Sequence, residues 1–139
     1  MAERRVWIDD WQMQCCGDPF ALGSTVTWST IPVTDTSGFA EFLDEETATG
    51  ITDCEERHAH EDQELEEIEG VVHSIDAVFC QRRMEGGMNV PIPGSGFCEP
   101  RSSVTNGSEP EESQGVRRSF VGYIVRVETE GVGAEREGR

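Results

Sequence analysis

The chain has 139 residues, with 28 Asp and Glu against 11 basic side chains and a net charge of −17. That length supports one modest core. The charge argues against phosphate-driven nucleic-acid binding, which needs clustered cations, and against docking on an anionic membrane. A basic protein partner or a metal cation is the charged ligand left open.

The opening residues, M-A-E-R-R-V-W-I-D-D, lack the apolar run of a secretion signal, and no stretch reaches membrane-spanning length. A cytoplasmic, reducing setting is the expectation. There Cys15, Cys16, Cys54, Cys80 and Cys98 stay free thiols, in keeping with their odd number. Arg4 to Asp9 reads as a first strand, Val6 and Ile8 on one face and Trp7 on the other. The run from Trp11 to Trp28, W-Q-M-Q-C-C-G-D-P-F-A-L-G-S-T-V-T-W, comes next. Left in water, each of its large apolar side chains would forfeit roughly 1.5–3 kcal/mol, so the segment must fold back on the core. Its Gly-Asp-Pro turn makes it a turn-rich connection that places Cys15 and Cys16 at a tight bend. A second strand follows over Ser24 to Ile31, with Val26 and Trp28 alternating against Thr25, Thr27 and Ser29, and Pro32 ends it.

Ser37 opens a short helix with Phe39, Phe42 and Leu43 as its apolar stripe and Gly50 as its stop. Asp53 to Glu69 reads as an acidic loop with a helical turn around Leu65 and Ile68. Thirteen acids and one arginine lie between Glu41 and Glu69, so most of the excess charge sits there. Gly70 opens the clearest strand, V-V-H-S-I-D-A-V-F-C-Q, in which Ile75, Ala77 and Phe79 look inward and His73 shares their side. Glu85-Gly86-Gly87 is a turn, and Asn89 to Phe97 leaves room for a short edge strand. Arg101 to Gln114 is polar and of low complexity, a mobile loop spanning about 101–116. The last strand, Ser119 to Glu128, puts Val121, Tyr123, Val125 and Val127 on one face and Phe120 and Ile124 on the other. A disordered tail is expected over 129–139.

These elements predict one compact domain over 1–128, mainly β or α+β. Its architecture is a small curled antiparallel sheet or partial barrel with one short helix and long loops. Closure would remove exposed strand edges, and Gly23 and Gly70 supply corners. Trp28, Ile75 and Val125, from three strands, should share one dry interior.

The segments V-W-I-D-D-W-Q-M-Q-C-C-G-D-P-F-A-L-G-S-T-V-T-W, G-V-V-H-S-I and F-V-G-Y-I-V carry a resemblance to a family of small uncharacterised actinobacterial proteins. It covers residues 5–31, 57–80 and 119–127, with W-Q-x-x-C-C-G-x-P-F as its distinctive core. The resemblance implies a bacterial cytosolic protein of one domain and transfers no catalytic residue. Arginine as the only basic residue type, a usage expected of GC-rich coding, fits such a source.

Four chemistries compete. Cys15, Cys16, Cys54, His58 and His60, with His73 in reserve, offer more soft ligands than a tetrahedral zinc needs, and His58-Ala59-His60 places two imidazoles on one face if extended. Adjacent cysteines in extended chain diverge, however, so the alternative is a buried apolar thiol and solvated histidines. Thiol chemistry would need a cationic setting, whereas Asp9, Asp10 and Asp18 surround Cys15 and Cys16. Carboxylate or serine hydrolysis lacks a motif: the acid pairs are adjacent and diverge, and Gly94-Ser95-Gly96 is a proline-flanked turn. The favoured reading is a non-enzymatic acidic binding or regulatory module whose 41–69 band steers it to a basic protein. The alternative is a zinc-binding domain. Any such association should weaken as salt rises.

Overall fold

Alternating β-branched and aromatic residues carry most of the chain into strands, as their packing on a pleated half-buried surface favours. The computed structural model describes residues 2–16, 18–56, 65–113 and 115–129; the side chains of Trp11, Cys15, Cys16, Ser113 and Val116 also lie outside the description. In chain order the elements are β1 (Ala2–Asp9), α1 (Asp10–Cys16), β2 (Phe20–Ala21), β3 (Thr25–Pro32), α2 (Ser37–Ala40), α3 (Glu45–Thr49), β4 (Asp53–Glu55) and β5 (Glu66–Cys80). There follow β6 (Arg82–Glu85), β7 (Met88–Pro91), β8 (Phe97–Arg101), β9 (Ser103–Val104), β10 (Glu112–Ser113), β11 (Val116–Arg117) and β12 (Ser119–Thr129).

Five of these strands close a ring, in the order β1-β4-β3-β5-β12 and back to β1. The expected mainly-β barrel is therefore present, and it is closed. β12 makes the closure by pairing with both β1, from Ala2↔Thr129 to Asp9↔Gly122, and β5. All pairings in the ring are antiparallel except β1 with β4, where Val6 lies beside Asp53 and Trp7 beside Cys54. β8 adds a sixth strand beside the second half of β5.

Two hydrophobic cores result. Val6, Ile8, Val26, Trp28, Ile75, Tyr123 and Val125 fill the barrel, and Met13 of α1, Phe20 and Val104 join the same cluster. Outside the barrel wall, Trp7, Val78 and Ile124 pack under Leu43, Ala48 and Ile51 of the β3–β4 connection.

Several local expectations need correction. Among the described residues three short helices stand where one was expected. The Cys15–Cys16 region is the last turn of α1 rather than a tight bend, held because Gln12 and Met13 are buried. In the described parts of the 53–69 stretch, Asp53–Glu55 form β4 and Glu66 onward form the start of β5, so Ile68 lies in a strand and not in a helical turn; 57–64 lie outside the described residues. His73 is half-exposed and within 3.3 Å of Glu128, not core-facing. The cause is a bulge: Val72 pairs with Val127 and Ser74 with Arg126, so His73 is an extra residue and the inward set changes parity there. A second bulge, between Phe120 and Gly122, turns Val121 outward to the second core and leaves Phe120 inside with Tyr123 and Val125. Apart from these corrections, Val104 is buried, and Glu109 accepts the Tyr123 hydroxyl at 2.8 Å and pairs with Arg101 at 2.8 Å. The tail expected over 129–139 lies, beyond Thr129, outside the described residues.

Gly122 sits at the seam where β1 meets β12. A Cβ there would fall 2.5 Å from the Ile8 carbonyl oxygen and 2.6 Å from the Trp7 ring. Gly122→Ala is expected to destabilise the fold by about 1–3 kcal/mol through overpacking. A urea midpoint that falls while the slope stays constant would show it.

Candidate functional site

The β3–β4 connection folds over the outer face of the barrel because its ends are tied down chemically. Asp35 accepts the Ser37 amide at 2.9 Å in the turn ahead of α2, while Asp44 caps α3 by accepting the Thr47 amide at 2.9 Å. Leu43, Ala48 and Ile51 are then buried against the wall, and Phe39 and Phe42 come to rest half-buried over Trp7. The Trp7 and Phe39 ring centroids lie 5.1 Å apart and those of Trp7 and Phe42 lie 6.3 Å apart, both tilted. The Trp7 indole N–H donates to Asp9 at 2.8 Å, which fixes the ring's orientation.

Between α2 and β1 this leaves an open cleft of about 620 Å³. Its floor is aromatic and aliphatic, from Trp7, Phe39, Phe42, Val33 and Val121, and Asp9, Asp10, Asp35 and Arg82 contribute its charged groups. The backbone hydrogen bond from Ser37 holds the Asp35 carboxyl below its ordinary range, so it is ionised at neutral pH. Cys54, on β4, also lines the cleft. Burial, with Asp9, Asp53 and Glu56 adding to it, pushes its thiol up to about 11. It is therefore a protonated, weakly reactive group at pH 7. Apolar contact beneath surplus negative charge suits an apolar side chain that has a cationic neighbour.

The residues singled out for metal binding divide sharply. Cys54 is on the cleft wall; Cys15 and Cys16 end α1, but their side chains, like His58 and His60 altogether, lie outside the described residues. Among the described residues no group of three or more His, Cys, Asp or Glu is placed to hold a metal ion. Cys54, Cys80 and Cys98 are free thiols. The aromatic part of the cleft was visible as the Phe39–Phe42–Leu43 stripe. Its acidic part was not, because Asp9 and Asp10 are remote in sequence from Asp35 and come to line one cleft with it only where Phe39 of α2 packs on Trp7 of β1.

Fold and site together define a small closed β-barrel with an acidic, aromatic cleft on its outer wall. The chain belongs to a family of unknown function, DUF6578, whose profile matches residues 2–129. No curated protein and no solved structure matches it. Among the described residues no helix is long and apolar enough to cross a membrane.

Proposed function

We propose that the chain is a non-enzymatic binding module whose outer cleft takes a basic segment of a partner protein. An apolar side chain would rest on Trp7 and Phe39, and an adjoining Arg or Lys would face Asp9, Asp10 and Asp35. The observation that carries this reading is the placement of three carboxylates around an aromatic floor outside the barrel core. Architecture supports it by analogy. Five-stranded barrels of the oligonucleotide- and oligosaccharide-binding type take ligands on an outer sheet face bounded by two loops. Here the face of β1 and β12 is bounded by the β3–β4 connection and, at Arg82, by the start of the β5–β12 connection. The net charge of −17 turns that shared placement from nucleic acid to a cationic protein.

A short Arg-rich peptide with one leucine tests the reading, followed through the Trp7 indole N–H resonance. The signal is expected to move on titration, and affinity should fall as salt rises. Asp35→Asn keeps an oxygen for the Ser37 amide and removes the charge, so it should weaken binding by roughly two- to fivefold. A stationary Trp7 signal while other resonances respond would place the peptide elsewhere.

A further inference from the structure

Arginine pairing singles out a second hollow. With 28 carboxylates in the chain, a guanidinium readily finds an acid. Arg4, Arg5, Arg83, Arg101, Arg118 and Arg126 each hold one. Arg82 and Arg117 hold none among the described residues, and both line the same hollow of about 590 Å³. It forms where the β6–β7 hairpin and the β10–β11 hairpin approach each other. Asn89 and Ser119 add neutral donors to its wall.

Arg118, also in the lining, is engaged elsewhere. Its guanidinium pairs with Glu99, donates to the Pro110 carbonyl at 3.0 Å and lies 3.8 Å from the centroid of the Phe79 ring. It is a fixed wall, so the available charge belongs to Arg82 and Arg117. Opposing it, Glu111 lines the hollow, and Glu112 lies across the hairpin from Arg117 without forming an ion pair.

We infer that this hollow binds a small tetrahedral oxyanion of the phosphate class between the guanidinium groups of Arg82 and Arg117. Planar guanidinium forks match oxyanion geometry and form the stronger, charge-assisted hydrogen bonds. Carboxylates farther than about 8 Å away are largely screened at physiological ionic strength, so the opposing charge that counts is Glu111 in the lining and Glu112 beside it. The site stands independently of the cleft reading, although Arg82 borders both.

Inorganic phosphate and phenyl phosphate, titrated separately at constant ionic strength with chloride as the control, test the assignment by calorimetry and amide shifts. Saturable phosphate binding is expected, weakened roughly tenfold by either Arg82→Gln or Arg117→Gln and abolished by both. Glu111→Gln should tighten it, and this variant carries the test if an arginine variant unfolds. Binding of inorganic phosphate alone identifies the free ion as ligand; binding of both identifies a phosphomonoester. Equal, unsaturable responses to phosphate and chloride would overturn the site. So would arginine variants that bind as the parent does, or a Glu111→Gln variant with unaltered affinity.

Discussion

Arg4→Met is expected to destabilise the barrel by up to about 3 kcal/mol, the lower end of the loss typical of breaking a buried ion pair, because Asp53 is buried while Arg4 keeps 32% of its side chain exposed. Arg4 donates to both oxygens of Asp53, at 2.9 and 3.1 Å, and its other nitrogen reaches Glu66 at 2.6 Å. Asp53 is 1% exposed, with Thr52 and Thr30 hydroxyls donating to it at 2.7 and 3.3 Å. Without the guanidinium these hydroxyls alone face a carboxylate removed from water. The double variant Arg4→Met/Asp53→Asn should recover much of the loss, because it removes the stranded charge as well. Chemical denaturation of the two single variants and the double variant checks this. A single-variant loss below about 1 kcal/mol would mean the pair does not hold β1 to β4.

Phe79→Ala should cost more, about 3–5 kcal/mol, through lost transfer energy and the cavity left behind. Phe79 is fully buried, with Phe97 and Phe120 at centroid distances of 5.5 and 5.7 Å. The same ring carries the Arg118 guanidinium, so truncation also removes a cation–π contact worth about 0.5–2 kcal/mol. Phe79→Leu retains most of the volume and should cost far less. Thermal unfolding of the two variants separates lost volume from lost ring: equal losses would assign the energy to the aromatic contacts.

The strongest strands were legible because their signal is local. β1, β3, β5 and β12 each alternate apolar and polar residues, and Trp28, Ile75 and Val125 do meet in one interior. What escaped depended on partners. The bulges at His73 and Val121 invert which residues face inward, and only the opposing strand's register reveals them. β4 was hidden inside an acidic run, where Asp53-Cys54-Glu55 looks solvated. Its two carboxylates are buried, and the thiol between them lines the outer cleft. Asp53 tolerates burial because Arg4 and Thr30 arrive from neighbouring strands. α1 has neither a strong pattern nor length, and tertiary burial of Gln12 and Met13 sustains it. Of the cleft, the sequence displayed the rings but not the convergence of Asp9 and Asp35 upon them. Arg82 and Arg117, left without an acid among the described residues, are likewise invisible until the other pairings there are known.

The strand that completes the circle is the last described one, and it adjoins the first: Thr129 donates to the Ala2 carbonyl at 3.1 Å. During synthesis, therefore, the earlier strands wait with open margins until Ser119–Thr129 has emerged. Assembly of the wall is then a late, long-range event, and a slow one compared with helical proteins of this size. Until then the aliphatic inner surface is shielded only by whatever temporary collapse the nascent polypeptide achieves, and abundant carboxylates would help keep such intermediates apart.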